Sequence, residues 1–211
     1  LALPAGRGTA YVQASLVAAA RALRMGGRLS PTGEKNKGFE RYFKEARALL
    51  GYGVVVRREG PYRVALLEKE KEAPPLPSLW RAFSARILGA EYTFHHLPGV
   101  FSAGKVDPAS LLLLEALQER LGPEGVRGRQ VLDLGAGYGA LTLPLARMGA
   151  EVVGVEDDLA SVLSLQKGLE ANALKAQALH SDVDEALTEE ARFDIIVTNP
   201  PFHVGGAVIL D

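Results

Sequence analysis

The chain has 211 residues, 47% of them apolar and 23% charged, which supports one large or two small folded domains and excludes a disordered chain. It has no cysteine, which excludes a disulfide framework, a thiol nucleophile and thiolate metal centres, and fits a reducing compartment. The net charge of −1 conceals a gradient: residues 1–63 carry a balance of +8 and residues 64–211 one of −9, which points to a polyanionic partner for the first part.

Residues 11–24 (YVQASLVAAARALR) are spaced as an amphipathic helix that stops at Gly26-Gly27. Residues 28–30 predict a short strand limited by Pro31, and Phe39 to Leu50 a second helix with Gly51 as its stop. Gly53–Arg58 and Tyr62–Glu68 are β-rich runs around Glu59-Gly60-Pro61, the pattern of a hairpin. Residues 69–79 (KEKEAPPLPSL) turn from charged to proline-rich and predict a stiff linker. A short helix near Trp80–Leu88, an extended segment from Tyr92 to Phe101 and a helix opened by Asp107-Pro108 follow. From Gln130 onward, strands at 130–134, 151–155, 175–179 and 193–198 and helices at 139–148 and 159–172 predict a parallel sheet with helical crossovers. No apolar run approaches the roughly 18 residues of a membrane span, and nothing reads as a signal peptide. The chain starts without Met and stops at Asp211 just after a Gly-rich loop, so both ends read as cut.

The first of these strands, Val131-Leu132-Asp133-Leu134, runs into Gly135-Ala136-Gly137-Tyr138-Gly139-Ala140 and a helix. Glycines there let the backbone turn tightly and approach a ligand, and the helix start offers free N–H groups. Glu156 ends the next strand 23 residues after Asp133, close to the spacing of about 20 expected for a ribose-binding acid. An adenosine-containing cofactor is therefore expected. Read as G-x-G-x-x-(G/A), the loop fits a dinucleotide; read as D-x-G-x-G-x-G, it resembles the first motif of S-adenosylmethionine methyltransferases. Asp133 would repel a pyrophosphate and suit an ammonium, which tilts the reading toward the methyl donor.

The apolar run 195–198, expected to be a buried strand, ends in Asn199-Pro200-Pro201-Phe202. Strand ends of a parallel sheet share one crevice, so this loop is expected to face the glycine loop. The Asn199 side-chain carbonyl and the Pro200 carbonyl would be two rigid acceptors, suited to an exocyclic amine, and Phe202 a face for a base to stack on.

The set VLDLGAGYG, VVGVE, HSD and TNPPF resembles the class I methyltransferases that act on amino groups. With LPGVFSAGKVDPASLLLLEAL (residues 97–117), it resembles more narrowly the bacterial ribosomal RNA guanine-N2 methyltransferases, small-subunit enzyme included, over about 91–211. The resemblance implies a Rossmann-like α/β fold preceded by part of a second, methyltransferase-like domain. Residues 1–68 would be the back half of that RNA-recognising domain, 69–90 a junction, and 91–211 the front of the catalytic domain; a circular permutation is the alternative. It implies S-adenosylmethionine as cofactor, Glu156 on its ribose, Asp182 on the adenine, Phe101, Ser102 and Asn199 beside it, and Asn199, Pro200, Pro201 and Phe202 on the target base. Asp157 and Asp158 are expected to cap the next helix, with Asp157 able to serve the cofactor as well. A ribosomal RNA or subunit is the implied partner, and a cytoplasmic monomer without metal the expected form.

His95-His96 has no third ligand at metal spacing, His180 reads as structural, His203 as loop packing or, alternatively, a substrate contact, and Trp80 as core or junction packing. Competing functions are methylation of a large-subunit guanine, an adenine N6 or a protein glutamine, an NAD(P) oxidoreductase, and a non-catalytic RNA-binding module. Lys35 and Lys37, in a Gly-flanked polar loop, are expected to be free to reach phosphate.

Overall fold

The computed structural model describes residues 5–102, 104–122, 124–200, 203–204 and 207–208. The chain divides into two compact units, Leu1–Leu79 and Trp80–Asp211.

The first unit runs α1 (Thr9–Ala22), β1 (Arg28–Leu29), β2 (Thr32–Glu34), α2 (Phe39–Leu50), β3 (Gly51–Glu59) and β4 (Tyr62–Lys69). Strand β4 is central and antiparallel to all its partners: β3 on one side, β1 and β2 on the other. The helices turn one stripe each inward, Val12, Leu16 and Ala20 from α1 and Phe39, Tyr42, Ala46 and Leu50 from α2. These close over Ala65 and Leu67, which the period-two alternation of β4 points to the same side. Pro31 interrupts the strand expected at 28–30 without ending the pairing. Its carbonyl accepts from the Ala65 amide at 3.0 Å, and β2 resumes the ladder at Thr32. Lys69 is buried because its ammonium donates to the Leu23 carbonyl at 2.8 Å, at the end of α1. Residues 70–79 hold no helix or strand, as their prolines require.

At the start of the second unit the helix expected near Trp80–Leu88 is instead a strand, β5 (Arg81–Ile87), paired in register with antiparallel β6 (Ala90–His96). Leu88 (φ 47°) and Gly89 (φ 81°) both take positive φ, the backbone of a two-residue primed turn, whose twist matches that of the flanking strands. Residues 80–90 fall within the second compact unit. Phe83 and Phe94 stack across the hairpin, and both meet Tyr138 edge-on. The hairpin is tied to Asn172, whose side chain bonds both the amide and the carbonyl of Thr93.

Next come α3 (Pro108–Leu121), β7 (Gln130–Leu134), α4 (Thr142–Arg147), β8 (Glu151–Glu156), α5 (Leu159–Ala171), β9 (Gln177–His180) and β10 (Ile195–Thr198), then the two-residue pair β11 (His203–Val204) and β12 (Ala207–Val208). The main sheet is parallel throughout, in the order β10-β7-β8-β9. Helix α4 starts three residues later than expected, because Gly139 to Leu141 are spent on the turn that precedes it. The chain crosses from β7 to β8 on one side and returns to β10 on the other. The switch point of this Rossmann-like α/β sheet therefore lies between β7 and β10, where open parallel sheets bind ligands.

Candidate functional site

Strand β7 delivers Asp133 and the glycine loop, and β10, its parallel neighbour, delivers Asn199 one residue beyond its end. Asp133 is 1% exposed. Its Oδ2 accepts from the Thr142 hydroxyl at 2.6 Å, while Oδ1 is buried with no hydrogen-bond partner. Burial pushes this carboxyl up to about 6, against the Thr142 bond, which pulls it down. An orphaned carboxylate oxygen at the mouth of a glycine loop is a place for a cation or a donor.

Gly135 (φ 76°) and Gly137 (φ 56°) adopt left-handed backbone and have open space where a Cβ would stand. Gly139 (φ 97°) is different: a Cβ there would meet Leu143 at 2.3 Å and Leu165 at 2.6 Å. Two glycines of the motif leave room for a ligand, and the third lets the turn lie against the core.

Glu156 closes the loop from β8. Its carboxylate accepts from the Gly137 amide at 2.7 Å and the Asp158 amide at 3.1 Å, and burial raises its pKa. The Gly135 and Ala136 amides both donate to the Val155 carbonyl. The glycine loop is thus held by the end of the next strand, a structural duty for Glu156 beside the expected ribose contact. Asp158 is the N-cap of α5, accepting from the Ser161 amide and hydroxyl. Asp157 takes no part in that cap; it is exposed and lines a cavity with Gly135, Glu156, Ser181, Asp182 and Pro200. His180 is structural, its Nε2 2.8 Å from the Asp157 carbonyl oxygen.

An adjoining cavity is lined by Phe101, Ser102, Asp107, Asp133, Ala136, Gly137 and Asn199. Gly135 lines both. Every expected site residue among the described ones therefore lies on one of two neighbouring hollows, except Gly139, which packs against the core. Pro201, Phe202 and the side chain of His203 lie outside the described residues. The donor set fits a cofactor with a cationic amino-acid end by Asp133 and an adenosine end by Glu156, Asp157 and Asp182.

Several residues of this site escaped sequence reasoning. Tyr138, the variable residue of the glycine motif, donates its hydroxyl to the Lys105 carbonyl at 2.9 Å; burial pushes its pKa up to about 12. Thr142, the partner of Asp133, looks like an ordinary helix residue. Asp107, expected as an N-cap, accepts from the Ala109 amide at 3.0 Å as predicted. The same oxygen also accepts from Asn199 Nδ2 at 2.9 Å, and Ser110 Oγ lies 2.9 Å from that nitrogen. No local signal links residues 92 positions apart; only the capping pattern marks one end of the pair. Among the described residues no group of side chains is arranged to hold a metal ion, and no helix is long and apolar enough to cross a membrane.

Comparison with known proteins agrees with this geometry. Residues 91–211 match the methyltransferase small domain family. A ribosomal RNA small subunit methyltransferase C of Chromohalobacter salexigens is 36% identical over 198 residues, 92% of this chain and 56% of that protein. A protein of the same name from Stutzerimonas stutzeri is 35% identical over 87% of this chain and 54% of its own length. A solved structure described as the T. thermophilus 16S rRNA N2 G1207 methyltransferase in complex with AdoMet and guanosine is 98% identical with a TM-score of 0.96, and covers 100% of this chain and 57% of that one. The chain spans a little over half the length of these relatives. With a class I methyltransferase sheet, a glycine loop at its switch point and a family match over more than half its residues, the chain belongs to the methyltransferase small domain family.

Proposed function

We propose that the chain carries the cofactor- and base-binding part of an S-adenosylmethionine-dependent methyltransferase that modifies the exocyclic N2 of a guanine in small-subunit ribosomal RNA. The observation that carries this reading is the pairing of Asp133, with its buried unpartnered oxygen, and Asn199, with its amide nitrogen fully engaged, at the ends of adjacent parallel strands. Support for the substrate comes from the relatives, whose names specify ribosomal RNA, and from the solved structure described with AdoMet and guanosine.

S-adenosylmethionine, when bound, supplies a methyl group on a positively charged sulfur. Asp133 Oδ1 would take its ammonium, Glu156 the ribose hydroxyls, and Asp182 the adenine amine. The buried Asp133 also argues against a dinucleotide, because a pyrophosphate would meet a carboxylate with no donor to offset it. Both Asn199 Nδ2 hydrogens have acceptors, so its Oδ1 is the atom left to receive a guanine amino hydrogen, and the Pro200 carbonyl is a second acceptor. Two fixed acceptors hold the amine with its lone pair toward the incoming methyl. Neither amide oxygen is a base near neutral pH, so rate enhancement comes from orientation and preorganised electrostatics. A guanine reaches this crevice only after leaving its stack.

The first unit is read as the back half of an auxiliary, methyltransferase-like domain that recognises RNA. In support, its order of helix, strand, helix and hairpin places an antiparallel last strand between β1 and β3, as such sheets end, and residues 1–63 carry a balance of +8. Action as a monomer in the cytoplasm, without a metal, belongs to the same reading. The test is nucleoside analysis of small-subunit RNA incubated with the full chain and methyl donor. N2-methylguanosine is expected; N6-methyladenosine, or no methylated nucleoside, would overturn the assignment.

A further inference from the structure

We infer that Asp107 and Ser110, at the start of α3, are positioning residues that select the catalytically competent orientation of the Asn199 amide; this rests on the function proposed above. A terminal amide is nearly two-fold symmetric in shape but not in chemistry: one end accepts hydrogen bonds and the other donates two. Free rotation about its last torsion has a broad, two-fold profile, so an unrestrained Asn presents its NH2 to the substrate about as readily as its oxygen. An NH2 facing a guanine amine sets donor against donor and orients nothing.

The structure removes that ambiguity. Asp107 is a carboxylate and accepts only, so the Asn199 atom 2.9 Å from its Oδ2 must be the nitrogen. The second amide hydrogen faces Ser110 Oγ, also at 2.9 Å, on a residue that is 3% exposed. With both hydrogens engaged, Oδ1 is the only polar atom of the side chain left for the cavity that Asn199, Asp107 and Ser110 line together. The clasp is itself anchored. Asp107 Oδ2 also caps α3 through the Ala109 amide, and the segment before it is held by the bond from Tyr138 to the Lys105 carbonyl. A loop residue thus borrows its orientation from a helix terminus, which is more rigid than the loop.

The capping duty makes Asp107→Ala ambiguous, so the informative variant is Asp107→Ser. Serine is as good an N-cap as aspartate but has no carboxylate to hold Asn199. In the full chain, assayed on small-subunit RNA, Asp107→Ser is expected to lower kcat about 10–100-fold, the range for losing a charged hydrogen bond, with cofactor Kd and thermal midpoint near wild type. Ser110→Ala should lower kcat about 3–10-fold. Asp107→Asn, which can place a carbonyl oxygen at the same point, should recover activity to within about three-fold of wild type. In an Asn199→Ala background, Asp107→Ser should cost nothing further, because there is no amide left to orient.

A kcat for Asp107→Ser within two-fold of wild type would overturn the inference, as would a parallel loss of cofactor affinity or an undiminished effect in the Asn199→Ala background. An Asp107→Asn variant as poor as Asp107→Ser would also overturn it, by showing that charge and not hydrogen bonding matters. If Asn199→Ala itself retained full turnover, the function proposed above would fail instead.

Discussion

In the first unit β4 is antiparallel to every strand it meets, and Tyr52, Val54 and Val56 stand exposed on β3 while α1 and α2 close over the opposite face. In the second unit four strands run the same way, and Asp133, Glu156 and Asn199 all emerge at one end of them. Parallel strands deliver their final residues to one edge, so side chains far apart in sequence converge there; antiparallel strands send successive ends to opposite edges and gather nothing similar. The polar groups of the two units differ accordingly. Those of the first are largely solvent-exposed ion pairs such as Arg57–Glu59 and Lys37–Glu34. Those of the second include a buried carboxylate with an open oxygen and an amide locked in one orientation.

If the convergent edge is the reactive one, the largest effect should come from Asn199→Ala. Loss of its acceptor removes an interaction strongest in the transition state, and kcat should fall about 10²–10³-fold, as for other preorganised polar groups. Cofactor affinity should barely change, which separates turnover from binding in single-turnover and equilibrium assays. Equal losses in both would mean that Asn199 holds structure and not substrate.

Gly139→Ala tests the packing half of the glycine loop. The new methyl would enter the side chains of Leu143 and Leu165 on a residue at φ 97°. A stability loss of about 2–4 kcal/mol is expected from overpacking plus left-handed strain, read by denaturant unfolding of the second unit. Gly135→Ala, with open space at its Cβ, should cost about 1–2 kcal/mol and act mainly on cofactor binding.

Asp133 sets stability against binding. Its folded pKa of about 6 lies above its ordinary value of 3.8, so between those values the folded chain holds a proton that the unfolded chain has lost. Stability from this group is therefore full below pH 4 and declines as pH rises to about 6, by roughly 3 kcal/mol for a shift of this size. Asp133→Asn should stabilise the chain at pH 7 by about 1–3 kcal/mol and flatten that dependence. It should also weaken S-adenosylmethionine, whose affinity for the unsubstituted chain should rise as pH passes 6. A substitution that weakened both stability and binding at pH 7 would show that the carboxylate is not strained by its burial.

The smallest effect belongs to the first unit. Lys37 does not stand free: its ammonium pairs with Glu34 at 2.8 Å, and that bond raises its pKa. Lys35 has an exposed side chain in the same turn. If both meet RNA phosphate, replacing them should reduce the dependence of log affinity on log salt by about 0.7–0.9 per contact, measured by filter binding across a salt series, with cofactor affinity unchanged. An unchanged slope would mean that the basic balance of this unit serves solubility.

Much of the second unit is legible in the sequence because its signals are local. Val131 to Asp133 ahead of three spaced glycines, the acid at 156 and the Asn-Pro-Pro turn at the end of a short apolar run each declare an element and its end. The hairpin of β5 and β6 is not, because its turn places Leu88, a residue that rarely takes positive φ, where Asn or Gly would have announced it. Strand β2 hides behind Pro31, which breaks a strand by rule but here supplies only a carbonyl to the ladder. The clasp on Asn199 and the bond from Gly137 to Glu156 are tertiary, and no periodicity encodes them. The sequence thus offers the candidate residues as a set of types, while the arrangement of those residues is legible only in the fold.

If the edge between β7 and β10 binds S-adenosylmethionine, calorimetric titration of the full chain with the methyl donor should show saturable binding, weakened at least ten-fold in Glu156→Ala, while a parallel titration with NADH should give no heat. Heat from NADH with none from S-adenosylmethionine would mean that the crevice takes a dinucleotide instead.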